Sequence, residues 1–523
     1  MNLKRSVTNL TEKLLLNRSR KFILSIFCFI LLSLLMGLIY TQKPLFTSNQ
    51  NQYFLSGMAK AGIGSLNDDW LANTKEPTPL FSLLVKWTYK GLKNPAWFYF
   101  YYVVLMGLYI FSLLGILDEF FHIRENTTGF ILTASLILIF HSAAMRFILS
   151  SLIGTNWSFL FDGGVAGQRL LGTVFQPSVF GVLLVVSLYF FIKGRVYWAA
   201  ILAATAACIH PTYLFTSALM TIGYLITEIV ERKNFKKALL PSVLTLILVT
   251  PILIYIFANF TGTEGAEEAR RILVDIRIPH HTLTSYWLDF SVLFKITMIL
   301  LAILLVRKEK EIAIPILVIF SGTLLLSFYQ IITKDRFLAL VFPWRPTALL
   351  VPLSSSILAA GFSTWLCGLI KKERIRSILK ISCLIILVIL SLTGLWQMNE
   401  KFTQYQNSRE AGLYDWVREY SASGDRFLTP IHLNTFRTNT LRPIYIDYFA
   451  IPYNNSDVIQ WYHRVLAAKK FYDNGSCLEL MYLQHDERLT HVVTAKDQIQ
   501  PDCQNLRLVY EDDHFLVYQI SSS

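Results

Sequence analysis

The sequence predicts a mainly α, polytopic membrane protein with about eleven transmembrane helices and a small extracytoplasmic C-terminal α/β domain. Three observations carry this. The 523 residues are 54% hydrophobic and only 16% charged, with a mean hydropathy of +0.45, whereas soluble chains carry about a quarter charged residues. Many separate apolar runs approach the ~20 residues that cross a bilayer core. From residue 398 onward the chain turns polar, with strand-like alternation between helical stretches.

The net charge of +13 lies largely in short segments between apolar runs: residues 18–21 (RSRK), 193–195 (KGR), 231–237 (ERKNFKK), 307–310 (RKEK) and 371–376 (KKERIR). Cytoplasmic loops have this composition, so the excess sets orientation in a membrane and implies no nucleic-acid partner. The first apolar run, 22–40, is too long for a signal-peptide core and lacks a small-residue cleavage site, and it reads as a retained helix. The expected layout is therefore a cytoplasmic segment 1–21, a membrane domain 22–397 with a large external loop 41–95, and an external domain 398–523. Further spans follow at 97–117, 128–150, 176–192, 238–257, 290–306, 312–332, 346–370 and 378–395. The stretch 197–230 divides into two at His210-Pro211, because proline breaks the helix ladder and disfavours helix just before itself. The implied location is the cytoplasmic (inner) membrane, N-terminus inside.

In the tail, FLTPIHL, RPIYIDYFAI, THVVTA, LRLVYE and HFLVYQI read as strands, and AGLYDWVREYS and DVIQWYHRVLAAKKFYD as amphipathic helices. Cys28, Cys208, Cys367 and Cys383 sit in apolar runs as small core residues; Cys477 and Cys503 form a disulfide only if the tail lies outside the cytoplasm. In the first loop, Tyr53, Leu55, Met58, Ala59 and Ile63 form one helical stripe ended by Gly62 or Gly64. Leu80, Leu83, Leu84 and Trp87 form a second, started by Pro79. Two such helices lying on the membrane surface would bracket the acid pair of NDDW.

The polar candidates gather on the expected external side: Asp68 and Asp69 in the first loop, Asp162, Gln168 and Arg169 in the second, and His210 at the third. Arg277, His280 and His281 (RIPHH) occupy the fourth, and Lys334, Asp335, Arg336 and Arg345 surround the fifth. Asp68 and Asp69 are either a helix-capping turn or a catalytic pair, one as base for a substrate hydroxyl, the other tuning it or holding a cation. Arg169 and Arg345 either anchor lipid headgroups or clamp a phosphate. His210 is a packing residue at a helix break or a ligand. Adjacent His280 and His281 cannot share a helix face and make a weak metal pair; one as a proton carrier or phosphate partner fits better. No zinc spacing or phosphate-loop motif is present, so no metal ligands are assigned. A divalent cation is left open as the one cofactor the acid pair admits.

This arrangement resembles the GT-C superfamily of membrane glycosyltransferases, polytopic enzymes that take sugar from a polyprenyl-phosphate carrier at the outer face. The resemblance covers most of the chain. NDDWLANTKEPTPLF, RIPHH and FPWRP are also similar to segments of uncharacterised bacterial membrane proteins of this class. It implies an inverting transferase with a polyprenyl-phosphate sugar donor, a glycan or lipid acceptor, and membrane lipids as partners. Asp69 or Asp68 would then be catalytic, with Arg169, Arg345, His280, His281, Arg277 and His210 binding the carrier phosphate. One departure matters. Where many members have an acidic dipeptide after the first helix, this chain has Asn49, Gln50, Asn51 and Gln52, and amides are not bases at neutral pH. The alternatives are a non-catalytic scaffold that binds lipid carrier or envelope glycan and, third, a transporter.

Overall fold

The computed structural model describes residues 23–521, apart from the side chains of residues 485 and 486. The expected cytoplasmic segment 1–21 and the first residue of the first helix lie outside these. The chain is mainly helical and ends in a small α/β domain, as the sequence predicts. Among the described residues, seven helices are long and apolar enough to cross a membrane: Ile23–Tyr40, Trp97–Phe121, Pro211–Val230, Phe235–Phe260, Lys310–Thr333, Thr347–Leu369 and Glu373–Gln406. The pair Thr127–Phe140 and Ala143–Leu152, bent by 51°, adds an eighth if it is one span. Three further expected spans are shorter apolar helices, Pro177–Ile192, Val196–Ile209 and Phe290–Val306.

Local chemistry explains the breaks. His210 is extended (φ −134°) ahead of Pro211 at the first position of the next turn, as the proline predicts. The bend in the expected span 128–150 was not anticipated. Ser142 leaves helical geometry and its Oγ accepts the Met145 N–H at 2.9 Å, so a new N-cap interrupts the ladder. Helices Trp97–Phe121 and Thr347–Leu369 are each 67% buried in their most apolar window, and form the centre. Phe235–Phe260 and Glu373–Gln406 are 22% and 17% buried. Their exposed Leu246, Ile247, Phe257, Ile385, Ile389 and Trp396 form a surface suited to lipid rather than water.

The loop 41–95 carries its two helices, Leu55–Ala61, capped by Gly62 at φ +74°, and Pro79–Trp87, opened by its proline. They pack closely because Gly57 has no side chain: a Cβ there would stand 2.6 Å from Val85. Phe81 and Val85 are buried, whereas Leu80, Leu83 and Trp87 are exposed, so the expected second stripe faces outward.

The tail forms a four-stranded sheet of β1 (Phe427–Leu428), β2 (His491–Ala495), β3 (Leu506–Glu511) and β4 (Phe515–Ile520), in the order β1-β2-β4-β3. β1 is parallel to β2; the other pairs are antiparallel, with a register shift between Leu508 and Tyr510. Helices Ala411–Tyr420, Phe436–Thr440, Asn455–Asn474 and Cys477–Glu487 surround it, and Cys477 is disulfide-bonded to Cys503. Two expected strands are corrected. FLTPIHL pairs over two residues only, and RPIYIDYFAI makes a single bridge, Phe427 to Ile444. Pro430 and Pro443 cannot donate to a ladder, and the Asp447 carboxylate takes the Phe449 and Ala450 N–H groups, both at 2.7 Å, turning the chain away.

The first loop docks on this domain at Gly64. Ser65 N–H donates to the Leu441 carbonyl at 3.0 Å, and a Cβ on Gly64 (φ +57°) would lie 2.4 Å from that carbonyl oxygen. Gly64→Val is expected to destabilise the protein by about 2–3 kcal/mol, adding overlap to backbone strain. Gly62→Ala, at φ +74° with open space around it, carries strain alone, about 1 kcal/mol. Thermal unfolding in detergent ranks the two variants.

Candidate functional site

The acid pair of NDDW is divided by its surroundings. Asp69 is wholly buried. Its Oδ2 accepts Arg437 Nε at 2.7 Å and Ile444 N–H at 3.2 Å, and its Oδ1 accepts Ala72 N–H at 3.2 Å. Arg437 Nη1 donates in turn to Asp447 Oδ2 at 2.6 Å. All three side chains are at most 2% exposed. An acid closed in by a guanidinium and two backbone donors is held as a structural anion, and it has no path to a substrate hydroxyl. Asp68 points elsewhere: it is exposed, its Oδ1 accepts from Asn67 Nδ2 at 3.3 Å, and it borders a depression beside Trp70, Arg426 and Glu487. The expected catalytic pair is therefore a buried tether and a surface carboxylate.

Of the amides of NQNQ, Asn51 and Gln52 serve the same docking, and Gln50 ties the loop to its own start and to Phe175. Gln50 donates to the Phe175 carbonyl at 3.0 Å and accepts from Phe46 N–H at 2.8 Å. Asn51 Oδ1 accepts from Thr438 Oγ1 at 2.6 Å, and Gln52 Nε2 donates to Tyr453 Oη at 2.9 Å. Gln50 both donates and accepts, which an amide can do and an ionised carboxylate cannot.

The cationic candidates do converge. Arg345, at the end of the fifth loop, is 7% exposed. It donates through Nη1 to Gln168 Oε1 and lies 4.7 Å from the Tyr213 ring centroid. Its Nε and Nη2 are buried without a hydrogen-bond partner, as are His210 Nδ1 and Arg277 Nε. The His210 ring meets Tyr53 and Tyr213 edge-on at 6.2 and 5.4 Å. His281 Nδ1 donates to the Ala166 carbonyl at 2.6 Å, and the His280 ring lies tilted against it, with centroids 4.1 Å apart. Arg277 Nη2 donates to the Phe449 carbonyl, so the tail also reaches the site. Arg169 lies 3.7 Å over the Phe159 ring. Its field, with that of Arg345, reaches His281.

The hairpin FDGGVAGQR sets this up. Gly163 bridges to Arg169 and Gly164 N–H donates to the Gln168 carbonyl at 2.8 Å. Gln168 is thereby aimed at Arg345, and Ala166 at His281.

Such a setting keeps the imidazoles neutral. Burial and then Arg345 hold His210 far below its usual range. Burial and then His280 push His281 down to about 3, against the opposing Ala166 hydrogen bond. Burial and then Arg277 lower His280. The positive charge of the site thus rests on the three arginines, and the rings remain available to take a proton once an anion enters.

A second buried cluster lies beyond Arg169. Arg146 Nη1 pairs with Asp162 Oδ2 at 3.5 Å and its Nη2 donates to the Tyr40 carbonyl at 2.5 Å. Lys295 Nζ donates to the Gly164 carbonyl at 2.8 Å. Burial raises the Asp162 carboxyl above its usual range, with Arg146 opposing. Arg146 and Lys295 were missed in the sequence, although a lone cation inside an apolar run is the available signal. Of the other fifth-loop residues, Arg336 pairs with Asp275 and Glu267 at 2.8 and 2.6 Å, and Asp335 caps Leu338 N–H; both are structural. Among the described residues no group of three or more His, Cys, Asp or Glu is placed to hold a metal ion.

Comparison with known proteins adds a partial frame. A family model described as a domain of unknown function, DUF6798, matches residues 409–468, the stretch that contains Arg437 and Asp447. No curated protein matches. Among solved structures, the archaeal oligosaccharyltransferase AglB from Archaeoglobus fulgidus, in complex with an inhibitory peptide and a dolichol-phosphate, is similar at a TM-score of 0.46 and 10% identity, over 91% of this chain and 70% of that one.

Proposed function

We propose that this chain is a GT-C-type membrane glycosyltransferase, inverting, which takes a sugar from a polyprenyl-phosphate carrier and passes it to an envelope glycan or lipid acceptor. One observation carries the reading. Four buried nitrogens on Arg345, Arg277 and His210 have no partner, and the imidazoles of His210, His280 and His281 are kept neutral beside permanent cations. Buried donors are nearly always satisfied, and a phosphate offers the acceptors this set lacks. Guanidinium pairs bind it in a forked geometry and stabilise the charge that builds up as it departs. Arg169 adds long-range field.

The reaction belongs on the membrane face that carries the tail, outside the cytoplasm. Support comes from the Cys477–Cys503 disulfide, a bond of oxidising compartments, and from the basic loops at the other end of the bundle. There Lys193 pairs with Glu119, Arg232 with Glu228 and Glu311, and Lys310 with Glu231. The exposed Leu80, Leu83 and Trp87 suit contact with membrane lipid at that face.

Full-length protein in nanodiscs, titrated with farnesyl phosphate, tests the reading. Farnesyl phosphate is expected to bind and farnesol not, and Arg345→Gln is expected to weaken binding about 10- to 100-fold through lost charge-assisted hydrogen bonds. Equal binding of phosphate and alcohol overturns it. The second reading, a non-catalytic carrier-binding scaffold, is favoured by the commitment of Asp69 to Arg437. It predicts farnesyl phosphate binding without sugar release from farnesyl-phosphate-linked hexoses.

A further inference from the structure

At the end of the bundle opposite the tail, an open vestibule of about 510 Å³ lies among the helix ends, within the roughly 300–1,000 Å³ of ordinary ligand sites. It is lined by three cations, Lys193, Arg232 and Lys237, and three carboxylates, Glu119, Glu228 and Glu311. Most of these charges are spent on one another. Arg232 donates to Glu228 Oε1 at 2.6 Å and to Glu311 at 3.0 Å, and its Nη2 donates to the Phe191 carbonyl at 3.2 Å. Lys193 pairs with Glu119.

Two groups are left over, one of each sign. The Glu228 side chain is 1% exposed, yet its Oε2 has no hydrogen-bond partner, a rare state for a buried acceptor. Lys237, in the first turn of helix Phe235–Phe260, makes no ion pair among the described residues, and a helix start favours an anion.

The vestibule continues into a narrow groove between helices Val196–Ile209, Pro211–Val230 and Phe235–Phe260, bordered by Ala200, Thr221, Tyr224, Pro241 and Thr245. Glu228 and Lys237 border both spaces. Tyr197 and Trp198, at the start of the first of these helices, are exposed, and such aromatics mark the headgroup level of a bilayer. A lipid fits this outline, with its headgroup in the vestibule and a chain along the groove. Its headgroup must bring an N–H donor for Glu228 and an anion for Lys237, the two halves of phosphoethanolamine. Phosphocholine has no such N–H, and its quaternary ammonium needs an open aromatic face. The Phe191 ring offers none, because Tyr224 stacks on it at 4.0 Å and Arg232 lies 4.8 Å from its centroid. A purely anionic headgroup leaves Glu228 unpaired and meets three carboxylates.

We propose that the vestibule and groove hold one phosphoethanolamine-headed phospholipid, its ammonium on Glu228 Oε2, its phosphate on Lys237 and an acyl chain along the groove. In the orientation proposed above it belongs to the cytoplasmic leaflet. Helix Phe235–Phe260 is only 22% buried in its most apolar window, so a lipid that ties its first turn to Glu228 adds to a thin contact. The site shares no residue with the cationic cluster, and it stands whether or not that cluster binds a carrier phosphate.

Native mass spectrometry tests this on full-length protein released from nanodiscs made of equal parts phosphatidylethanolamine, phosphatidylcholine and phosphatidylglycerol. One phosphatidylethanolamine is expected to be retained, with about tenfold preference over phosphatidylcholine. Glu228→Gln keeps the shape, loses the charge and is expected to abolish that preference. Lys237→Gln, at an exposed position, is expected to weaken retention about threefold. If Glu228→Gln fails to fold, the wild-type headgroup preference and Lys237→Gln decide. Equal retention of the three lipids overturns the proposal, and so does a preference for phosphatidylglycerol, which marks a site read by its cations alone. A folded Glu228→Gln with the wild-type preference overturns it too, as does wild-type retention by Lys237→Gln. Free phosphoethanolamine at millimolar concentration is expected to leave the lipid in place; displacement would assign the site to a soluble ligand and overturn the membrane source.

Discussion

Arg437→Met is expected to destabilise the protein by about 3–5 kcal/mol, because it strands two buried carboxylates at once. Asp69 and Asp447 each give an oxygen to the same guanidinium, at 2.7 and 2.6 Å, in a site from which water is excluded. The remaining acceptors are shared with the backbone of Ala72, Ile444, Phe449 and Ala450. Loss of the cation leaves those dipoles to carry two charges that repel. Thermal unfolding in detergent, with limited proteolysis of the tail, measures the result. Asp69→Asn keeps the shape and loses one charge, so a smaller loss is expected, about 1–3 kcal/mol. If Asp69→Asn were as stable as the wild type and had lost sugar transfer, Asp69 would be acting chemically and the tether reading would fall. Replacing all three residues by apolar ones of similar size is expected to recover much of the stability, since a buried ion triad roughly breaks even against good packing.

Acid is expected to weaken the fold through the cationic cluster, and a bound phosphate to relieve it. His210 and His281 are held below the unfolded value of about 6.5. Between there and the folded value, about 3 for His281, the unfolded chain binds more protons, so stability falls as pH falls. The cost at pH 5 is larger for His210, which is 6% exposed, than for His281, which solvent partly reaches. The groups that bear on the two rings are Arg345, Arg169 and His280. None is an acid that would stabilise an imidazolium. Asp162 and Glu76 work in the opposite direction, because raised carboxyl values make the folded state the better proton binder. The histidine share is therefore the difference between wild type and the His210→Gln/His281→Asn double variant across pH 7 to 5. Farnesyl phosphate should reduce that difference, since a bound anion raises both rings. A difference that does not change with pH would show that the rings titrate in the folded protein as they do in the unfolded chain.

Much of the scaffold was readable from one sequence. Apolar runs, the break at His210-Pro211, the end of helix Leu55–Ala61 at Gly62 and the opening of helix Pro79–Trp87 at its proline are local signals, and each appears where its chemistry puts it. The helices Ala411–Tyr420 and Asn455–Asn474 follow from 3.6-residue periodicity. The cationic residues were readable as a set because alternating loops deliver them to one end of the bundle. The strand expected over RPIYIDYFAI failed because Asp447 turns the backbone to meet Arg437, a partner that no local alternation reveals.

What the sequence by itself determined is the class of the protein, its apolar helices and the end of the bundle where its polar groups collect. The tertiary structure alone decided which of those groups are free. In NDDW, two neighbouring aspartates differ because Arg437, 368 residues away, closes over Asp69 and not Asp68. The same docking engages Asn51 and Gln52 of NQNQ. Periodicity and caps act over a few residues, whereas desolvation and ion pairing depend on whatever the fold brings near, and those forces set the chemistry of a carboxylate.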